Sequence, residues 1–561
     1  MSDTAAEPGT LRWYEALPER LEWELAQFAA RGLPAEQYET SGGRLAIRTE
    51  LTFEGRPVEI SVVFPFDYPD VEPTVYGPSE LLPRHQNRRA GNFCLLENPA
   101  VDWWPTMGSA QLVDEDLRWL LEDSAAGPDV VADGEADMPE PLSQHIEVVE
   151  DTVALVPDPF WKVSLDASDG ELILHDAVMK AGQLITEVQG VGRCDPDLMS
   201  GFTANSGQRH AGRWTAVEAG AVQPYPSLED VLTAALTASP GLLAKLKRTL
   251  GRDRKRMTAN GWVGVTFLEE GPRRGEQRRA WVLLEVQLDR QGEARALRAL
   301  RAQALTSHER SRRTPELVGL DAAKILVIGA GSLGGSIAYE LAKAGVGQTD
   351  IVDYDHYDVN NAVRHVLEPR WAGTNKALAV SIEARFLNPF VRSEPHALRI
   401  GRGPDDQRAL RSLIHDAHVV VDATGSASVG RVLQRDCSGA QTTLLLAALT
   451  AGSYGGEVAV FRPGGPCFWC FMLGQQDGSI PEPPSGPPSN VTPVGCSAPA
   501  FSGAGFDATA LAAAAARTAI RVSGKCSYPL FEHDYLIMSF RGEESSLHGD
   551  LEIHPGCPLE H

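Results

Sequence analysis

Nowhere in this chain are 18 consecutive residues apolar, and no apolar segment follows its first residues. Those absences exclude a helical membrane span and a secretory leader, so the expected compartment is the cytoplasm. Positive charge is in deficit: 51 Lys and Arg stand against 75 Asp and Glu, a net charge of −24. A general DNA or RNA binder usually carries a basic excess, so that class is disfavoured. Cysteine is sparse, eight in 561 residues. Thiols scattered along a long chain suit a reducing compartment and roles in catalysis or metal binding, not a disulfide framework. No internal repeat stands out. What the chain does have is 43% apolar residues, enough for ordinary cores, and a length that implies about three domains.

The most informative stretch is 325–355. Ile325 to Ile328 reads as a buried parallel strand. A glycine turn follows, with Gly329, Gly331 and Gly334, and then a helix with apolar spacing closed by Gly345 and Gly347. A second strand, Thr349 to Val352, ends in Asp353-Tyr354-Asp355. Glycines let backbone approach a phosphate, and a helix N-terminus supplies N–H groups and a positive dipole end. A carboxylate at the end of the second strand can bind ribose hydroxyls. A nucleotide site is expected here.

NAD enzymes and ATP-using adenylating enzymes share this opening. The residues downstream separate them: Asn360-Asn361-Ala362-Val363-Arg364-His365, then Gly373-Thr374-Asn375-Lys376. Hydride transfer has no need of an Arg and a Lys there. Attack on the α-phosphate of ATP does, because both cations neutralise triphosphate oxygens and the leaving pyrophosphate. The pattern GxGxxG, DxD, NxxR and Lys resembles the activating enzymes of ubiquitin-like pathways, the ThiF/MoeB superfamily. The resemblance implies a Rossmann-like adenylation domain over 311–561. It implies that Asp355 holds the ribose of ATP and that Asn361, Arg364 and Lys376 hold the phosphates. At the end of the strand Val419 to Asp422 the family carries an acidic loop near Mg2+. Its second acidic residue is Gly425 here, which leaves Asp422 as the candidate. In relatives that dimerise, an arginine upstream of the first strand reaches the partner's ATP. Arg312 and Arg313 are the candidates, with a surface basic turn as the alternative, and a homodimer through this domain is the implied assembly.

The chain begins with an apparent amphipathic helix over 10–40. Hairpin-like strands follow at 44–53 and 58–64, with a turn at Glu54-Gly55. Next come Tyr68-Pro69 with Pro73, His85-Gln86-Asn87, Gly91-Asn92-Phe93-Cys94-Leu95, Trp104-Pro105 and a helix over about 109–121. This order resembles the α+β catalytic fold of ubiquitin-conjugating enzymes, here spanning 1–125. The resemblance makes Cys94 the thioester nucleophile and Asn87 the side chain supporting the oxyanion when a lysine attacks. A thiolate accepts an acyl group and the thioester stays reactive toward amines, while an amide donor stabilises the tetrahedral intermediate. Where the family usually has H-P-N, this chain has H-Q-N. A buried, inert cysteine is the alternative for Cys94.

Residues 122–141 are acidic and rich in Ala, Gly and Pro, and read as a self-repelling tether. The central domain, 126–310 with that linker, reads as α+β. Strands are expected at 161–165, 171–174, 184–188, 214–217, 262–267 and 280–286, helix at 227–250 broken near Pro240, and helix again over 294–309. The basic cluster Lys245 to Arg256 reads as a solvated helix end. Cys194 and His210 are lone residues, and no catalytic constellation is present there.

After strand-like runs in 442–463 come Cys467 and Cys470, a CxxC open to redox or metal chemistry. The chain ends with His554, Cys557 and His561. Cys467, Cys470 and Cys557 with one histidine, His554 or His561, would complete a tetrahedral site for structural Zn2+. This resembles the structural zinc of the same superfamily. Gly474 to Asn490 reads as a mobile loop, and Cys496 follows it just before an Ala-rich helix over 505–522. A cysteine so placed can have a depressed pKa and move toward an adenylate, so Cys496 is the candidate activating nucleophile. Cys437 and Cys526 are the other candidates.

Together these resemblances imply a fusion of an E2-like and an E1-like enzyme, an α/β multidomain chain. ATP would adenylate a protein C-terminus, Cys496 would capture the acyl group, Cys94 would receive it, and a target lysine would form the isopeptide. Such fusions resemble the conjugation protein of CBASS anti-phage islands, which would make the activated partner a cGAS-like nucleotidyltransferase or a ubiquitin-like protein. Sulfur-carrier activation of ThiF/MoeB type and a scaffold with an inactive conjugating domain remain open.

Overall fold

The computed structural model describes residues 12–561 apart from 80, 83, 88–89, 97, 127–140, 158–160, 162–167, 179–183, 192–208, 219, 223–225, 251–258, 272–275, 290–292, 488–501, 530–531, 543–544 and 560. The described residues fall into two compact units, 12–303 and 304–561.

In the first unit, the helix expected over 10–40 is shorter and divided. It consists of Trp13–Ala16 and Pro18–Ala30, with Pro18 at the start of the second helix, where its missing N–H costs nothing. Gly32 takes φ +68° and ends the run. The chain then forms a four-stranded antiparallel meander, β1 (Glu36–Glu39), β2 (Leu45–Phe53), β3 (Arg56–Val63) and β4 (Thr74–Tyr76). Alternation in β2 and β3 puts Ile47, Leu51, Ile60 and Val62 into a core with Phe28, Phe64, Tyr68, Trp103 and Leu117. A helical segment closes this domain: Ser109–Gln111, a π turn over Leu112–Leu117, then Arg118–Ala126. Buried Glu24 ties these parts together. It accepts from Tyr68 Oη, from Arg20 Nε at 2.9 Å, and from the Ser109 N–H and hydroxyl at 2.9 and 2.7 Å.

The central domain is a closed barrel. Its strands are β5 (Val149–Pro157), β6 (Asp169–Val178), β7 (Leu184–Val191), β8 (Arg209–Ala216), β9 (Ala259–Glu270), β10 (Gln277–Leu288) and β11 (Ala294–Leu305). They close in the order β10-β11-β5-β7-β6-β8-β9. Helices Leu228–Ala238 and Leu242–Leu250 cover Val263, Val265, Val282 and Leu284, which is therefore the outer face. The alternate residues Trp214, Trp262, Trp281, Leu172 and Leu300 fill the interior. One expectation fails here, and another falls almost wholly outside the described residues. Residues 294–305 are strand, not helix: Ala, Arg and Leu favour helices, but pairing with β10 closes the barrel and overrides propensity. Of the strand expected at 161–165 only Trp161 is described, and it is not in a strand. Lys245, expected in a solvated cluster, donates to Asp169 at 2.7 Å. The tether lies mostly, and Cys194 wholly, outside the described residues.

The second unit is built on an eight-stranded sheet. Its strands are β12 (Lys324–Ile328), β13 (Gln348–Val352), β14 (Arg392–His396), β15 (Val419–Asp422), β16 (Thr443–Leu449), β17 (Gly455–Phe461), β18 (Tyr535–Ser539) and β19 (Ser545–Gly549). Their order is β14-β13-β12-β15-β16-β17-β18-β19, parallel from β14 to β16 and antiparallel beyond. The continuous apolar runs of β12 and β15 reflect burial on both faces. Helices Ser332–Ala344 and Gly505–Ser523 share one core with one face, while Pro404–Asp416, Ala427–Ala440 and Phe468–Asp477 cover the other. Strand order reverses between β12 and β15, which opens a crevice at their C-terminal ends. The loop expected at 474–490 is in part ordered structure. Residues 474–477 finish a helix, Ile480 is buried, and the Gly486 N–H donates to Ala451 O at 2.9 Å.

Candidate active sites

The turn after β12 sits at that crevice. Gly329 takes φ +89° and its N–H donates to Val352 O at 2.8 Å. A Cβ on Gly334 would lie 1.8 Å from Gly329 O, so only glycine fits. A Cβ on Gly331 would meet nothing within 4 Å, so the protein itself makes no such demand there. Gly331 caps the helix Ser332–Ala344 without a side-chain hydrogen bond, which leaves first-turn N–H groups for a ligand.

Two residues without an expected role of their own clamp this turn. Asp353 accepts from the Ala330 N–H at 2.8 Å and from the Asp355 N–H at 2.9 Å. Burial pushes its carboxyl above the ordinary range, against those two bonds. His365 holds the other side of Ala330: Nε2 bonds Ala330 O at 2.8 Å and Nδ1 accepts from the Leu367 N–H at 3.1 Å. That pairing assigns the proton to Nε2. Burial lowers the His365 pKa to about 4. The unfolded chain therefore takes up a proton below about pH 6.5 that the folded chain refuses until about pH 4. Stability is full above the upper value and falls as pH drops toward the lower one. The second unit is expected to lose about 2 kcal/mol between pH 7 and pH 5, with His365→Gln flattening that slope in urea unfolding at the two pH values.

Asp355 is exposed and meets Lys376 Nζ at 2.5 Å. Burial opposes its ionisation, but the hydrogen bond and charge of Lys376 prevail and hold its carboxyl below the usual range. Asn375 donates to Asp353 O and Asp355 O at 2.9 and 3.1 Å, which locks the Lys376 helix start to the β13 loop. Arg364 donates to Asn361 Oδ1 at 2.9 Å, and burial pulls its pKa down. The structure thus gathers the glycine turn, Asp355, Lys376 and, through His365, the Asn361–Arg364 segment. Asp422 ends β15, as expected. It is buried, Oδ1 accepts from the Thr424 N–H and hydroxyl at 3.0 and 2.7 Å, and burial raises its pKa. The Asp422 turn thus occupies Oδ1 and not Oδ2, and Gly425 offers no second carboxylate. Arg312 pairs with Glu309 at 2.7 Å.

Cys94 is exposed. It ends a short ribbon in which its N–H donates to His85 O at 2.8 Å, Asn87 N donates to Asn92 O at 2.8 Å, and Gln86 bridges Phe93. Phe93 N donates to Val75 O, which anchors the ribbon on β4. Asn87 Oδ1 accepts from the Ala90 N–H at 3.1 Å, within the same loop. Cys496 lies outside the described residues. Of the other candidates, Cys437 is buried on a helix, and burial raises its thiol to about 12, which removes it as a nucleophile. Cys526 is half-buried.

Near the C-terminus, Cys467, Cys470, Cys557 and His561 place one ligand atom each within 4.8 Å of one another. The Cys467 sulfur lies 3.8 Å from that of Cys470 and 3.6 Å from that of Cys557, and His561 Nε2 lies 3.2 Å from that of Cys557. A tetrahedron with zinc–sulfur arms of about 2.3 Å has edges of about 3.8 Å, so the set fits. His561 Nδ1 bonds Gly465 O at 3.0 Å, which orients Nε2 toward the sulfurs. Of the two candidate histidines it is therefore His561 that joins the sulfurs, while His554 Nε2 is 2.9 Å from Asp477 Oδ2.

Residues 20–155 match prokaryotic E2 family B, and residues 310–550 match the ThiF family. The chain is an E2–ThiF fusion. A relative over nearly the whole fusion is the uncharacterized protein y4oA of Sinorhizobium fredii, 27% identical over 541 residues, 88% of each chain. The ThiF region resembles the adenylyltransferase and sulfurtransferase of Anopheles gambiae, 33% identical over 181 residues, 31% of the fusion and 36% of that protein. It also resembles the molybdopterin-synthase adenylyltransferase of Salmonella typhimurium, 33% identical over 158 residues, 27% of the fusion and 58% of that protein. Among solved structures, E. coli MccB covers 46% of the fusion and 74% of its own chain at 18% identity and a TM-score of 0.35. Among the described residues of the fusion, no helix is long and apolar enough to cross a membrane.

Proposed function

We propose that the fusion activates a protein C-terminus with ATP and passes the acyl group through two of its own thiols to a lysine. The observation that carries this reading is the presence, in one chain, of a glycine turn flanked by Lys376 and Arg364 and an exposed Cys94 in an E2-like loop. Turn N–H groups and Lys376 hold the triphosphate, Asp355 holds the ribose, and Arg364 with Asn361 faces the α-phosphate. A C-terminal carboxylate oxygen attacks that phosphorus and pyrophosphate leaves. Cys496 as thiolate then attacks the acyl carbon and releases AMP. Cys94 takes the acyl group with return of the Cys496 thiol, and a lysine amine takes it from Cys94 as an isopeptide, losing one proton. Asn87 supports the oxyanion in that last step. Gly425 has no side chain to hold Mg2+, so Asp422, through Oδ2, is the residue of this loop that would hold the ion, which would neutralise phosphate charge.

The cysteine and histidine cluster would hold Zn2+ as a structural cross-link between the β17 end and the C-terminal segment. The protein is expected to carry about one zinc per chain by elemental analysis. Chelation or Cys557→Ser is expected to lower the melting temperature of the second unit and leave hydrogen exchange in β2 and β3 unchanged.

The activated protein would be a cGAS-like nucleotidyltransferase or a ubiquitin-like protein encoded nearby, in a cytoplasmic CBASS-like defence, with the fusion acting as a dimer through its ThiF domain. The second reading, sulfur-carrier adenylation, is supported by the named adenylyltransferase relatives of the ThiF region. ATP–pyrophosphate exchange with each neighbouring gene product tests adenylation. A reductant-labile adduct on Cys94 supports the relay, and exchange without one supports the second reading.

A further inference from the structure

Gln86 stands beside Cys94 in the fold but takes no part in the chemistry above. It is 2% exposed, and its side-chain amide is fully engaged with backbone. Oε1 accepts from the Leu82 N–H at 3.0 Å, and Nε2 donates to Pro78 O at 2.7 Å and to Gly91 O at 3.3 Å. Those three groups belong to the two loops that flank the Cys94 ribbon, one before it and one at its tip. Gly91 O also accepts from the Gly77 N–H at 2.9 Å, so the same carbonyl links the ribbon tip to the end of β4. The backbone of Gln86 bridges Phe93, one residue from Cys94.

We infer that Gln86 is the positioning residue of the Cys94 loop: one buried amide holds the 78–82 and 87–91 loops and so fixes where the thiol and Asn87 stand. The inference rests on the relay reading for its purpose, though not for its test. A proline in that place stiffens its own backbone but offers no side-chain donor or acceptor, so it cannot bond Leu82, Pro78 and Gly91. Gln86→Leu keeps bulk and burial but leaves one N–H and one carbonyl without their partner, and a second carbonyl with one partner fewer. Gln86→Glu keeps the acceptor for Leu82 but turns a buried carboxylate oxygen toward the two carbonyl oxygens.

The test uses the full chain and two measurements that need no acyl donor. Hydrogen exchange in the peptide covering 82–94 is expected to speed up by about tenfold in Gln86→Leu, by at least as much in Gln86→Glu, and not at all in β2 and β3. The rate of Cys94 alkylation by iodoacetamide is expected to depart from wild type by at least about threefold in both Gln86→Leu and Gln86→Glu. Exchange that rises equally in β2 and β3 would make Gln86 an ordinary core residue and overturn the inference. So would alkylation at the wild-type rate in both variants. If no thioester ever forms on Cys94, the relay reading fails, and these two measurements still decide the role of Gln86.

Discussion

Lys376→Ala is expected to cut ATP–pyrophosphate exchange by about a hundredfold to a thousandfold. Lys376 opens the helix Lys376–Leu387, its backbone N–H donates to Asp355 O at 2.9 Å, and its ammonium is held by the Asp355 carboxylate, just beyond the Asp353 that binds the glycine turn. A cation held in place before the charge of the leaving pyrophosphate develops acts without reorganisation. The same substitution removes an ion pair whose carboxylate is more than half exposed, which contributes under about 1 kcal/mol to stability. A large loss of exchange with a nearly unchanged melting temperature is therefore the expected combination. Equal loss of both would mean that Lys376 is structural.

Gly331→Ala and Gly334→Ala are expected to separate folding from nucleotide binding. At Gly334 a Cβ would overlap Gly329 O, so alanine breaks the turn and destabilises the second unit. At Gly331 the space is open, so alanine costs the fold under about 1 kcal/mol. Its methyl group stands where the phosphates must approach the helix N-terminus. Gly331→Ala is expected to fold as wild type and lose exchange by about a hundredfold, whereas Gly334→Ala loses both. Exchange at the wild-type level in Gly331→Ala would place the nucleotide elsewhere.

The glycine turn was legible because its spacing reflects a local steric need, and the Cys94 loop because its landmarks keep a fixed order along the chain. What escaped was set by tertiary contact. β11 is made of strong helix formers with apolar residues about every third position, and only barrel closure makes it a strand. His554 and His561 lie three and four residues from Cys557, a spacing that does not choose between them, and in the fold Asp477 and the Gly556 N–H engage the first. Asp353 and His365 lie within the motifs, yet their grip on Ala330 shows only when β12, β13 and the Arg364 segment are brought together. Asp422 stands at the strand end the sequence indicates, but that Thr424 engages one of its two oxygens shows only in the folded turn.

Mass spectrometry of the full chain after incubation with ATP and a neighbouring gene product, without reductant, tests the relay most directly. The expected result is an ATP-dependent acyl adduct on Cys94 that reductant removes and Cys94→Ala abolishes, with pyrophosphate exchange retained in that variant. Exchange in the wild type with Cys94 never acylated would contradict it.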